Sequence, residues 1–204
     1  MTNASDNSPF SQNPAGRGQG GKIFLIGFMG SGKSYWGKKW SRKYQFDFYD
    51  LDKVIEHDQQ KTIATIFEKT GEEHFRQLET ATLQTFSEKD NCLIACGGGT
   101  ACFNDNMKWM NENGTTVYLS ATPQYIYDRI YEEKDRRPLV SKLNQAELFF
   151  FIEQKLKERE PFYNQAKITM PVEELSGNFV PGFIISKPPA RRKVSKKQGP
   201  ETGS

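Results

Sequence analysis

Short, largely apolar runs alternate along this chain with stretches in which apolar residues recur every three or four positions. The runs are KIFLIG at Lys22–Gly27, then Gln45–Tyr49, Cys92–Cys96, Thr115–Leu119 and Lys167–Met170. Each is too short for a helix and reads as a strand. Helical spacing fills the gaps: Lys33–Tyr44, a helix opened by Asp52 with Val54 and Ile55, and a short one capped by Thr62 with Ile63, Ile66 and Phe67 inward. Gly71 ends that short helix, and Phe75, Leu78, Thr82, Leu83 and Phe86 mark one face of a longer one. Further helices are expected at Asn104–Asn113, from Thr122-Pro123 onward with proline at the first position, and at Gln145–Glu160, stopped by Pro161. Strand and helix in alternation predict βαβ units: a three-layer α/β/α domain on a five-stranded parallel sheet, without an internal repeat.

Composition sets the limits of that domain. Residues 1–20 hold Asn, Ser, Gln, Gly and Pro and one large apolar side chain besides Met1, Phe10. Residues 187–204 are a Pro-Pro followed by a Lys/Arg-rich run. Neither can bury enough apolar surface to offset chain entropy, so both are expected to be disordered tails around a domain at 21–186. The C-terminal tail carries six Lys or Arg against Glu201, a net +5, and Asp6 offsets Arg17 at the other end. Of the chain's +3, the domain therefore holds −2, which argues against a nucleic-acid-binding stripe. Cys92, Cys96 and Cys102 lack zinc-site spacing, and no apolar run approaches the roughly 20 residues of a membrane span. With no targeting segment visible, the expectation is a cytoplasmic protein that requires neither nucleic acid nor membrane.

The chemistry begins at Gly27-Phe28-Met29-Gly30-Ser31-Gly32-Lys33-Ser34, a G-x-x-x-x-G-K-S phosphate-binding loop lying between a buried strand and a helix. Glycines let successive N–H groups face one centre, and the helix start adds its positive end. Lys33 is placed to reach the β- and γ-phosphates of ATP and Ser34 to ligate Mg²⁺.

Weaker signals lie at the same sheet edge, where open α/β sheets bind ligands. Asp50 and Asp52, two apart in an extended segment, can point the same way; one could serve Mg²⁺ and the other a substrate hydroxyl, while Asp52 could equally cap a helix. Gly97-Gly98-Gly99 after the third strand allows close backbone approach to a ligand, or is simply a turn. Arg76 and Glu79 share a helix face and can pair. Glu132–Lys142 is charged and poor in apolar residues, a loop whose Arg136-Arg137-Pro138-Leu139 could close over a transferring phosphoryl group. Arg129 and Arg159 are helical arginines, the latter at a helix end where a cation is favoured.

From Lys22 to Met170 these segments together resemble the shikimate kinase family. The carriers are GFMGSGKS followed by Gly37, FYDLDKVIE, TIATIFEKTGEEHFRQLE, the triple glycine, the loop Arg-Pro-Leu, and Glu158–Tyr163 (EREPFY), all in the family's order. The resemblance implies a P-loop NTPase fold of the nucleoside monophosphate kinase-like type, and ATP- and Mg²⁺-dependent phosphorylation of the 3-hydroxyl of shikimate in aromatic amino-acid biosynthesis, by a monomer. Position by position it implies Asp52 as the ligand of the substrate hydroxyls, Arg76 and Arg159 as ligands of the substrate carboxylate, and Glu79 as the acid that orients Arg76. It further implies substrate contacts at Gly97, Gly98 and Gly99, Asp50 beside Mg²⁺ with Ser34, and Arg137 as the catalytic lid arginine. Gly30, Ser31, Gly32, Lys33, Ser34, Tyr35 and Arg129 then fall on the ATP side, and Lys33, Asp52 and Arg137 form the catalytic set. Planar cations for a carboxylate and an acceptor for hydroxyls are the groups a small carboxylated polyol requires.

The chain departs from that family at three places. Tyr35 follows the loop serine where a small hydroxyl residue is common, and Cys96 precedes the glycines in place of Thr or Ser. Gly177, Pro181 and Gly182 interrupt any closing helix between Val172 and Ile185. Two rivals remain at this stage: a kinase for another small acid such as gluconate, and an inactive homologue that only binds.

Overall fold

The computed structural model describes residues 21–132 and 140–175. Both tails, the lid residues Arg136, Arg137, Pro138 and Leu139, and the breakers Gly177, Pro181 and Gly182 lie outside them. Five strands form one sheet: β1 (Lys22–Ile26), β2 (Asp47–Asp50), β3 (Cys92–Ala95), β4 (Thr115–Ser120) and β5 (Ile168–Pro171). Their spatial order is β2-β3-β1-β4-β5 and every pairing is parallel. The helices between them are α1 (Lys33–Tyr44), α2 (Leu51–Gln59), α3 (Ile63–Gln84), α4 (Asn106–Asn113), α5 (Pro123–Tyr131) and α6 (Gln145–Tyr163).

The unbroken apolar runs of β1 and β3 follow from burial on both faces. Along β1, Phe24 and Ile26 pack into one core with α2 to α6, while Ile23 and Leu25 point into a second with Trp36 and Trp40 of α1. Along β3 the split repeats, Cys92 and Ile94 against Leu93. Edge strand β2 is only half-buried. Gly37 is where α1 comes closest to the sheet: a Cβ there would sit 2.5 Å from the Phe48 ring and 3.0 Å from Leu93.

Two local expectations are corrected. Strand β2 starts at Asp47, and α2 begins at Leu51, so the residue capping α2 is Asp50, not Asp52. Helix α6 is not stopped by Pro161 but runs to Tyr163. Proline forfeits one backbone hydrogen bond in the last turn, and the burial of Tyr163 in the core holds that turn in place. Gly71 (φ 80°, ψ 172°) does end the short helix as expected, and the longer helix starts at once, so the two run on across a kink as α3 over Ile63–Gln84.

Candidate active site

Strand β1 delivers its chain into the phosphate-loop sequence, and the loop ends at Gly32 with φ 85°, a left-handed conformation that favours glycine. No side chain caps the start of α1 and no acidic residue sits in its first turn, which leaves that end fit for an anion. Lys33 is buried and its Nζ donates to the carbonyls of Gly27 and Phe28, both at 2.8 Å, so its stem lies along the loop. The Ser31 N–H closes a turn onto Phe28 O at 3.2 Å. Its hydroxyl is buried and has no hydrogen-bond partner among the described residues.

The end of β2 meets this loop. Ser34 Oγ donates to Asp50 Oδ2 at 2.6 Å, and Asp50 Oδ1 accepts from Lys53 N at 3.4 Å as the α2 cap. Asp52 is in the first turn of α2, not in an extended segment. The helical start still turns both carboxylates onto one cleft of about 580 Å³, shared with Lys33, Ser34, Gly97 and Gly98. Asp52 keeps a partial opening to that cleft and is walled in elsewhere. Burial first, then the charges of Glu79 and Asp50, push its carboxyl up to about 6, against an opposing pull from Lys33.

The glycine turn after β3 is packed against charged side chains. A Cβ on Gly97 would sit 2.7 Å from Glu79 Oε1 and 3.0 Å from Asp52 Oδ1; one on Gly99 would sit 2.8 Å from Arg76 Nη1. None of the three has a positive φ. Room, not backbone freedom, is what these glycines supply. Glu79 is buried on α3, accepts from Arg76 Nη1 at 3.1 Å and takes the Thr100 hydroxyl. Burial raises its carboxyl above the usual range, opposed by Thr100 and Arg76. Arg76 also donates through Nε and Nη2 to Glu72 Oε1, at 3.2 and 2.8 Å.

From α6, Arg159 Nη1 donates to Gly98 O at 3.2 Å, and the Tyr163 hydroxyl donates to the same carbonyl. The Arg159 guanidinium lies 5.3 Å from the Phe28 ring of the phosphate loop. Arg76, Glu79, Gly99 and Arg159 do not line the cleft itself but gather round the same glycine turn. Tyr35 and Arg129 do line it, at the end nearer α5. Tyr35 is exposed, and Arg129 stacks on Tyr125 at 4.6 Å, against Gly32. Cys96 closes the floor as a buried thiol whose ionisation burial strongly disfavours.

The predicted site residues from Gly30 to Gly99, with Arg129 and Arg159, are thus brought to one edge of the sheet; Arg137 lies outside the described residues. Sequence reasoning passed over Glu72, Thr100, Phe103, Asn104 and Tyr163. Tyr163 had a usable signal, four residues after Arg159 and hence on the same helix face. Phe103 and Asn104 had none, since only the folded chain carries them to α3.

Comparison with known proteins adds an independent line. The family model described as Shikimate kinase matches residues 29–180. A shikimate kinase of Phocaeicola vulgatus is 41% identical over 154 residues, 76% of this chain and 88% of the relative. One of Azobacteroides pseudotrichonymphae is 42% identical over 167 residues, 81% and 98% of the two chains. Among solved structures, the shikimate kinase of Bacteroides thetaiotaomicron superposes with a TM-score of 0.74 at 41% identity, covering 77% of this chain and 89% of its own. That of Acinetobacter baumannii, solved in complex with shikimate, gives 0.66 at 30% identity over 80% and 86%.

Proposed function

The chain belongs to the shikimate kinase family, and from that premise we propose how its residues share the work of moving the γ-phosphate of ATP to the 3-hydroxyl of shikimate. It is an ATP-dependent kinase that takes shikimate as its substrate. The observation that carries the assignment of roles is the convergence of Arg76, Arg159, Asp52 and the glycine turn beside an uncapped phosphate-loop helix.

Gly30, Gly32, Lys33 and Ser34 line or border the phosphates through N–H groups and the Lys33 ammonium, while Ser31, whose own N–H is used in a turn, has its hydroxyl to offer. Tyr35 and Arg129 flank the nucleotide's far side. Arg76 and Arg159 bind the substrate carboxylate, Glu79 orients Arg76, and Gly97, Gly98 and Gly99 let the substrate approach the backbone. Asp52 holds the 3-hydroxyl in line. As that oxygen bonds to phosphorus and the bond to the ADP oxygen breaks, the hydroxyl proton passes to Asp52. A carboxyl raised to about 6 is well matched to accept it near neutral pH. Arg137 neutralises charge on the transferring group.

The Ser34 hydroxyl and the Asp50 carboxylate, 2.6 Å apart, are hard oxygen donors of the kind Mg²⁺ takes. Among the described residues no group of three or more His, Cys, Asp or Glu forms a metal cage. Mg²⁺ needs none, since it binds through one or two protein oxygens plus phosphates. When bound there it supplies charge neutralisation to the phosphates. The working unit is residues 21–186, a cytoplasmic monomer; among the described residues no helix is long and apolar enough to cross a membrane.

An ADP-coupled assay with shikimate, with gluconate as the control acid, tests this reading. Turnover with shikimate that disappears in Lys33→Ala supports it. Turnover with gluconate alone, or unchanged rates in Lys33→Ala, overturns it.

A further inference from the structure

The guanidinium of Arg76 is gripped on its flat face as well as its edges. The Phe103 ring lies 4.3 Å from its central carbon, closer than Phe75 at 5.2 Å or Phe67 at 5.9 Å. Phe75 is Arg76's own neighbour on α3, and Phe67 packs on Phe75. Phe103 comes from elsewhere: it directly follows the 3-10 turn Thr100–Cys102 that leads away from the glycine turn. It stays 36% exposed, outside the buried core.

The next residue holds the same target from behind. Asn104 Nδ2 donates to the Arg76 carbonyl at 3.1 Å and to Thr80 Oγ1 at 3.0 Å, and Thr80 Oγ1 itself donates to the Arg76 carbonyl at 2.9 Å. Asn104 and Asp105 both have left-handed backbones, φ 50° and 55°, an unusual pair for residues with side chains. Such a conformation persists where the surroundings over-determine it. Here the contacts of Asn104 on α3 hold it together with the Asn106 N–H, which closes the turn onto Phe103 O at 3.0 Å.

We propose that Phe103 and Asn104 form a clamp that positions Arg76 for the substrate carboxylate, with Phe103 stacking on its guanidinium and Asn104 fixing its backbone. The proposal rests on the reading of Arg76 as a carboxylate ligand. An arginine side chain has many rotamers, and a ligand that binds it in one geometry gains when that geometry is set beforehand. Edge partners alone leave the plane free to tilt. A ring against the face fixes the plane and adds a cation–π attraction. The clamp also ties both halves of the substrate site together, because one segment presents Gly97 to Gly99 and then holds Arg76. Phe103 and Asn104 are positioning residues that act through Arg76.

Initial-rate kinetics on Phe103→Ala, Phe103→Leu, Phe103→Tyr and Asn104→Gly test this, with KM measured separately for shikimate and ATP. Glycine accepts the left-handed backbone, so Asn104→Gly removes only the amide contacts. Phe103→Ala and Asn104→Gly should raise the shikimate KM about three- to tenfold, with the ATP KM and kcat within about twofold of wild type. Phe103→Tyr should restore the wild-type value and Phe103→Leu should not. In an Arg76→Ala background Phe103→Ala should add nothing, and with the uncharged carboxamide of shikimate its effect should vanish. Rescue by leucine, or an equal rise in the ATP KM, would show general packing and overturn the proposal. Should Phe103→Ala fail to fold, the leucine–tyrosine pair decides the same point. An unchanged shikimate KM in Arg76→Ala overturns the carboxylate assignment and the clamp with it. A raised KM there beside an unchanged one in Phe103→Ala overturns the clamp alone.

Discussion

The carboxylate of Asp50 serves two elements at once: it accepts the Ser34 hydroxyl at 2.6 Å through one oxygen and caps α2 through the other. This ties the first turn of α1 to the end of β2 at the mouth of the cleft. Asparagine keeps one oxygen for the α2 cap and can donate its amide N–H to the Ser34 hydroxyl, but it loses the charge. Asp50→Asn should therefore change stability by less than about 1 kcal/mol. The Mg²⁺ concentration for half-maximal rate should rise about tenfold or more. A Mg²⁺ titration of initial rates checks this, and an unchanged midpoint would remove Asp50 from the metal's surroundings.

Asp52 is ionised at a cost to the fold. Its carboxyl stands at about 6 in the folded chain against an ordinary 3.8. Between those values the folded state holds more protons than the unfolded one, so stability falls as pH rises through this window. Asp52→Asn should be more stable than wild type at pH 7.5, on the order of 2–3 kcal/mol at most. The gain should shrink as pH falls from about 6 and be gone by about 4. Phosphoryl transfer should fall severely, and in wild type kcat/KM for shikimate should decline as pH is lowered through about 6. Denaturant melts at two pH values and a pH–rate profile check both halves. A destabilised Asp52→Asn at pH 7.5 would contradict the burial argument.

Gly98 O accepts from both Arg159 and Tyr163, one turn apart on α6. Tyr163→Phe removes one of the two and leaves the ring in the core. The expected loss is about 1 kcal/mol of stability, with a modest rise in the shikimate KM. Arg159→Ala removes a charged ligand and should weaken shikimate binding by about 1.5–3 kcal/mol, with ATP binding little changed. Calorimetric titration of both ligands separates the two; equal losses for ATP and shikimate would place Arg159 outside the carboxylate site.

Arg137 is assigned by resemblance and by the adjacent Pro138, which restricts the backbone beside it. If that assignment holds, Arg137→Ala should lower kcat severely with the shikimate Kd near wild type, the signature of a contact made mainly in the transition state. Arg136→Ala is the comparison and should matter less. The reverse result, a silent Arg137→Ala beside a damaging Arg136→Ala, would shift the assignment by one residue.

Much of this protein is legible before folding is considered. The phosphate loop needs only residue types in a fixed spacing between a buried strand and a helix, and all of that is local. The central strands β1 and β3 announce themselves because burial on both faces demands continuous apolar runs, as Phe24 and Leu25 on opposite faces of β1 illustrate. Arg76 and Glu79 could be paired from their spacing alone.

Other features could not be read that way. That Asp50 and not Asp52 caps α2 depends on where β2 gives way to helix, a boundary of one or two residues that pattern does not resolve. That α6 continues through Pro161 depends on Tyr163 being buried, a fact about the core and not about the helix. Gly97 and Gly99 are crowded by Glu79, Asp52 and Arg76, which two other helices bring to where their side chains would lie, and Gly98 by the Met29 backbone. Phe103 and Asn104 meet Arg76 from 27 and 28 positions away. The sequence by itself therefore determined the strands, the phosphate loop and the chemical types of the site. Tertiary structure alone decided which of those groups touch, because periodicity and spacing report contacts within a few residues, and the packing of α3 and α6 around one glycine turn is a long-range arrangement.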